Sequence, residues 1–182
     1  MKLLFWDIEL AESVEAHGGW AAALRGDCGI SVIAIYDSET GRYYLYDEKN
    51  LDAAVEHLNT ADLLIGFNTI KFDTVVTQAV TGTYLTVQQY DLLQAIYDAL
   101  GHRSKGWKLD EVCQRTLGIG KTDSGDFATV LSKEKQYGKL FTYCMHDVAL
   151  CVDLWNHLVN GHPLKDPNDN DLFITLPVEE YA

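Results

Sequence analysis

Hydrophobic and polar positions follow two periods along this chain, and the changes of period mark its elements. Residues 2–8 (Lys-Leu-Leu-Phe-Trp-Asp-Ile) are apolar almost without interruption and end abruptly in carboxylates, the pattern of a buried strand emerging at a sheet edge. β-Branched alternation over 29–37 and an aromatic, extended run over 42–47 predict two more strands. Asp37-Ser-Glu-Thr-Gly41 between them is turn material, so these two are expected to pair as a hairpin. The stretch 11–28 is long for a loop between the first two strands and carries Gly18, Gly19 and Gly26. A loop of that size beside carboxylates is more often functional than idle. Helical spacing returns at 51–60, where Leu51, Ala54, Val55 and Leu58 share a face, and 62–67 is a short buried strand. From Asn68 a helix is expected, with Asn68 or Thr69 as its cap and Phe72, Val75, Val76 and Ala79 as its apolar face. Residues 84–92 read as another strand, and 107–117 and 139–159 as helices, the last long and strongly amphipathic.

Three strands, then helix, strand, helix, strand and helices predict an α/β fold with a mixed five-stranded sheet. Its first half is an antiparallel meander, and right-handed crossovers add the parallel strands. At 182 residues one domain is the natural size, placed at 1–160. The tail 161–182 holds all three prolines and the run Asn168 to Asp171, and is expected as an irregular strap packed on the same domain.

Composition narrows the class. A hydrophobic share of 47% with 11% aromatic residues excludes a disordered chain and permits a sizeable core. No apolar run reaches the roughly 18 residues of a membrane span, and Asp7 and Glu9 interrupt the place where a signal peptide would stay apolar. A soluble cytoplasmic protein with no membrane partner is expected. Cys28, Cys113, Cys144 and Cys151 form no C-x-x-C pair, which argues against a zinc ribbon or a thioredoxin-like site. Reduced thiols packed as small hydrophobes are expected, Cys144 and Cys151 on one helix face.

Net charge is −13, which on its face disfavours a phosphate-rich partner. The distribution changes that picture. His102 to Lys139 holds eight basic against five acidic side chains, a local charge of +3, which leaves −16 on the remainder. Lys105, Lys108 and Lys121 in this window are candidate phosphate contacts on an otherwise acidic chain.

Four acidic residues occupy positions that secondary structure alone does not explain. Asp7 and Glu9 lie two apart on a strand, so both project from one face. Asp73 closes the segment Phe67-Asn-Thr-Ile-Lys-Phe-Asp73, and Asp147 follows Tyr143 by one helical turn. Singly, each is an ordinary turn or surface residue. Together, in this order and about 65 to 75 residues apart, they form a pattern.

With these residues the chain resembles the RNase H-like 3′–5′ exonucleases of the DEDD type, in the subgroup whose third motif carries tyrosine. Asp7-Ile8-Glu9 matches the first motif, Asn68 with Phe72-Asp73 the second, and Tyr143-Cys-Met-His-Asp147 the third. Tyr90-Asp91-Leu92-Leu93, Lys108-Leu-Asp-Glu111 and Leu117-Gly-Ile-Gly-Lys121 extend the likeness, which spans about 2–158 and is greatest to standalone exonucleases related to the proofreading domain of family B DNA polymerases. Leu10 departs from the pattern, since the family usually has a hydroxyl residue there, and the 11–28 loop matches nothing in it. Thr142 stands where the histidine subgroup has its base, and His146 points roughly 100° away from Asp147, so it reads as a bystander.

The resemblance implies an RNase H-like fold and two divalent ions, Mg²⁺ or Mn²⁺, held by Asp7, Glu9, Asp73 and Asp147. Hard ions of this kind take carboxylate oxygen, and a pair of them stabilises attacking and leaving oxygens in phosphodiester hydrolysis. By the same resemblance Asp7 bridges both ions, Glu9 and Asp147 complete one, and Asp73 holds the other. Tyr143 orients the attacking water, a phenol being a poor base at neutral pH. Asn68 contacts the substrate strand or braces the Asp73 helix, Leu10 contacts the substrate, and Phe72 packs. The implied partner is single-stranded nucleic acid, with DNA favoured and RNA open, in a repair or replication role. Two other classes stay open: a catalytically silent module of the same fold that binds nucleic acid or protein, and a metal-dependent endonuclease. A calcium loop at Asp166 to Asp171 is disfavoured because it lacks the glycine and the distal glutamate.

Overall fold

The computed structural model describes residues 1–120 and 127–177. Five strands form the sheet: β1 (Leu3–Leu10), β2 (Ile30–Asp37), β3 (Arg42–Asp47), β4 (Leu63–Gly66) and β5 (Gln88–Asp91). Their order is β3-β2-β1-β4-β5. The β1–β2 and β2–β3 pairs are antiparallel, while β1–β4 and β4–β5 are parallel. The mixed five-stranded sheet is the one expected. β1 lies at its centre, so the edge at which its carboxylates emerge is the rim at the strand's C-terminal end.

Period two decides what each face of β1 meets. Leu4, Trp6 and Ile8 belong to one core cluster, with Ala54, Val55 and Leu58 of α2 (Leu51–Leu58) and Val76 of α3 (Asp73–Thr81). Phe5 belongs to the other, under α5 (Leu109–Leu117), α6 (Phe127–Lys133) and α7 (Tyr137–Val159). Both faces are buried, which is why the sequence there is apolar without alternation.

Several elements differ from the sequence expectation. The helix expected from Asn68 begins at Asp73, because Asn68 adopts a left-handed backbone (φ 66°) that no helix continues. Its inward stripe is Asp73, Val76 and Thr77, while Val75 and Ala79 are exposed, so the helix is rotated from the face read off the sequence. The strand expected over 84–92 is confined to Gln88–Asp91, and a helix that the periodicity did not reveal, α4 (Leu92–Leu100), follows at once. Asp91 makes the switch by accepting the N–H groups of Leu93 (3.0 Å) and Gln94 (3.2 Å) as the N-cap. The 11–28 stretch folds into a 3₁₀ turn (Val14–His17) and the one-turn helix α1 (Trp20–Leu24). The tail carries a short antiparallel pair, β6 (Leu164–Lys165) with β7 (Asp171–Leu172), and Tyr90 Oη donates to Thr175 O at 2.6 Å. Among the described residues no helix is long and apolar enough to cross a membrane.

Candidate active site

The sheet presents Asp7 and Glu9 to α7. Leu3 and Phe5 stand on the α7 face of β1, and the pleat puts Asp7 and Glu9 on the same side. Phe5 packs edge-on against Trp155, with ring centroids 6.1 Å apart. Two residues further along the strand the same face has become carboxylate. The register then shifts between Glu9 and Leu10, and Ser31 Oγ donates to both released carbonyls, at 3.0 Å and 3.2 Å. A bulge here re-aims the side chains at the end of β1.

Asp73 arrives because β4 stops early. β4 pairs with β1 only across Leu3–Phe5, which leaves Ile8 beyond the last rung on that side. Its N–H, which would otherwise lack a ladder partner, donates to Asp73 Oδ1 at 3.1 Å. The turn that delivers Asp73 is tight at its start: a Cβ on Gly66 would lie 2.2 Å from Thr69 Cγ2. Two N–H groups of that turn, from Asn68 and Ile70, donate to the Asp91 carboxylate at 2.8 Å and 3.1 Å. Burial pushes the Asp73 carboxyl up to about 7, and the charges of Asp91 and Asp147 add to this against the pull of its N–H donors.

The third contribution is α7. Asp147 is buried, and Cys144 one turn earlier places its thiol 3.5 Å from Asp7 O and 3.8 Å from Asp7 Oδ2. The ligand-capable atoms of Asp7, Glu9 and Cys144 all lie within 4.8 Å of one another. Asp73 and Asp147 stand outside that tight set, yet Asp147's charge reaches Asp73, so the four acids share one field. Tyr143 is half-buried against the core, and Thr142 is exposed with its hydroxyl turned back to Gly138 O. All four cysteines are free and buried, in line with the expected packing role. Cys144 has a second aspect that spacing did not reveal, since its thiol donates into the carboxylate group. Burial, then the charges of Asp7, Glu9 and Asp147, hold it well above the usual thiol range, so it is a proton donor there and not a thiolate.

The donor set fits a hard divalent cation. Its charged atoms are carboxylate oxygens, and a buried acid held this high by burial, with neighbouring negative charge adding to it, is one that a cation would relieve.

A largely apolar cavity of about 160 Å³ adjoins Glu9, walled by Ile8, Leu10, Val14, Trp20, Phe72 and Thr129, with Ser13 and Glu15 at its polar edge. Leu10, expected at the substrate, is here. Trp20 was not anticipated. It is 65% exposed and meets Phe72 edge-on at 5.5 Å, and its signal in the sequence is an aromatic set directly after Gly18-Gly19 in an overlong loop. Lys105 and Lys108 are exposed on the connection between α4 and α5, where neighbouring Gly106 meets Pro167 of the tail, and neither pairs with the four carboxylates. Lys121 lies outside the described residues.

No family model matches this sequence, and no curated protein matches it. Among solved structures the chain is similar to the family B DNA polymerase from the hyperthermophilic archaeon Pyrobaculum calidifontis, with a TM-score of 0.66 and 17% identity over 87% of this chain and 24% of that one. The chain thus spans about a quarter of that polymerase. At this identity the likeness is one of fold, and the mixed sheet flanked by helices is RNase H-like.

Proposed function

We propose that this chain is a 3′–5′ exonuclease that hydrolyses phosphodiester bonds from the 3′ end of single-stranded nucleic acid, DNA in preference, with two divalent cations, Mg²⁺ or Mn²⁺. One observation carries the reading. Asp73 takes the N–H of Ile8, the residue between Asp7 and Glu9, while the charge of Asp147 is felt at Asp73. Three elements far apart in sequence thereby bring four acids to one rim of the sheet. An idle fold has no reason to keep four mutually repelling carboxylates together.

Asp7, Glu9, Asp73 and Asp147 would hold the cations, which when bound neutralise charge developing on the phosphoryl oxygens and on the departing 3′ oxygen. Cys144 donates its thiol proton to Asp7, which fixes that carboxylate's orientation on the α7 side. Ile8 N–H does the same for Asp73. Tyr143, one turn before Asp147 on α7, orients the attacking water through its hydroxyl. Leu10, Phe72 and Trp20 offer an apolar wall beside Glu9 on which the terminal base rests. The similarity of fold to part of a family B DNA polymerase supports a role on nucleic acid.

End-labelled single-stranded DNA and RNA of equal sequence, incubated with Mg²⁺ or Mn²⁺ and resolved on a denaturing gel, test the reading. A ladder of single-nucleotide steps from the 3′ end, abolished by EDTA, is expected. Intact substrate, or internal cuts that leave the end in place, would refute it.

A further inference from the structure

The turn 67–72 that delivers Asp73 has two sides. Phe72 faces the apolar cavity beside Glu9, whereas Asn68 and Lys71 line a separate cavity of about 130 Å³, together with Asp91, Tyr97 and Arg103. Two cations from different elements thus converge on one cavity. Lys71 belongs to the turn, and Arg103 follows the C-terminal end of α4. On a chain of net charge −13 this is a local excess of positive charge, and Lys71 stands two residues before Asp73 in the sequence.

Neither cation is neutralised in place. Lys71 Nζ donates to the neutral side-chain amide of Gln94. The Arg103 guanidinium lies over the Tyr97 ring, 5.9 Å from its centroid, and both cations are exposed. Asp91, the carboxylate on this wall, is 4% exposed and already accepts four backbone N–H groups, from Asn68, Ile70, Leu93 and Gln94. Its charge is therefore largely met within the protein, while the two cations keep theirs for an incoming ligand. The same clamp holds Asn68 at a φ of 66° and so fixes the cavity's shape before anything binds.

We propose that this cavity is a phosphate-binding subsite: Lys71 and Arg103, beside Asn68, grip the backbone of a single nucleic-acid strand on the 5′ side of the bond being cut. The proposal rests on the exonuclease reading for its direction. If the terminal base occupies the apolar cavity and the scissile phosphate lies at the acids, the strand leaves across the turn toward Lys71. Phosphates supply what the cavity lacks, a delocalised negative charge that can meet both an ammonium and a guanidinium.

The experiment compares wild type with Lys71→Gln, Arg103→Gln and the double variant on two probes. Fluorescein-labelled decathymidylate in EDTA reports strand binding by anisotropy. Thymidine 5′-(p-nitrophenyl phosphate) with Mn²⁺ reports hydrolysis of a diester too short to reach the second cavity. Each substitution should weaken decathymidylate binding roughly tenfold and flatten the dependence of log K on log salt by about 0.7. In the double variant the rise in KM for the oligonucleotide should exceed that for the small diester by at least an order of magnitude. Unchanged binding and salt slope in the double variant would overturn the proposal, as would a loss seen only with Lys105→Gln and Lys108→Gln. Wild type that binds decathymidylate but hydrolyses neither probe would refute the exonuclease reading and leave the binding arm to decide the subsite by itself.

Discussion

Asp73→Asn isolates the energetic cost of gathering the acids. The asparagine Oδ1 can still accept the Ile8 N–H, so the change removes a charge and little else. Burial, with the charges of Asp91 and Asp147, raises the Asp73 carboxyl from 3.8 to about 7. An unfolded chain has no such shift, so between about pH 4 and 7 the folded state binds a proton that the unfolded state does not. The contribution to stability is fully present below the unfolded value and is lost as pH rises through the folded one. At ~1.4 kcal/mol per unit the loss approaches about 4 kcal/mol in cation-free protein. Chemical denaturation in EDTA across this range should show wild type falling below Asp73→Asn as pH rises, the two curves converging at acid pH. Shifted groups away from the acids cancel in the difference. Burial shifts His57 down, and the N–H groups of Glu39 and Thr40 with the charge of Lys2 outweigh burial to shift Asp37 down. Both therefore lose stability in the opposite direction, as pH falls, and they do so in both proteins. Saturating Mn²⁺ should close the gap from the wild-type side, with about 2.7 kcal/mol gained at a hundredfold excess over Kd. Parallel curves for the two proteins across this range would show that Asp73 is not held against its charge, and the shared-field argument would fall.

Other consequences are more direct. Asp7→Ala should fold and lose at least about 10³-fold in exonuclease rate, whereas Tyr143→Phe should lose roughly 10–10³-fold and keep its stabilisation by Mn²⁺. Equal losses in rate and in cation response, measured by gel kinetics and thermal melting, would contradict that division. Gly66→Ala drives a Cβ to 2.2 Å from Thr69 Cγ2 and should cost about 1–3 kcal/mol, partly recovered by Thr69→Ala in the same chain; an unchanged Tm would show that the turn yields freely. All four cysteines are buried, so a chromogenic disulfide reagent should titrate fewer than one thiol in the native protein and four after unfolding. Rapid reaction of a single native thiol would mean that the α7 face opens.

The mixed sheet was within reach of the sequence because β1 and β4 are apolar runs, β2 and β3 announce themselves by period, and the 37–41 turn ties β2 to β3. What escaped was decided by contacts between distant residues. Asn68 looks like a helix cap in its own segment. Asp91, more than twenty residues away, takes the N–H groups of Asn68 and Ile70 and delays the helix to Asp73. The same carboxylate caps α4, a helix hidden because its apolar positions continue straight from a strand. The two short elements of 11–28 and the seven-residue α6 are too brief for periodicity to speak, although both reach the cavity beside Glu9, through Trp20 and Thr129.

Motif spacing names four acids but not the geometry that unites them, and that geometry comes from one strand ending before its neighbour. β4 stops at Gly66, while β1 runs on to Leu10 and keeps β2 on its other side. The exposed flank of β1 has a donor at Ile8 and no strand to receive it, so the turn after β4 supplies a carboxylate instead of a peptide carbonyl. That substitution sets an acid in the plane of the sheet next to two acids that point out of it. α7, crossing the same face, adds Asp147 and the Cys144 thiol. In this account a longer β4 would be incompatible with the site, because a backbone carbonyl at Ile8 would displace Asp73. The charge lines that surround the rim follow from the same turn. Its last residue, Phe72, faces the apolar cavity beside the acids, and Lys71 just before it faces the cationic one. A six-residue turn thereby separates the place for a base from the place for a phosphate.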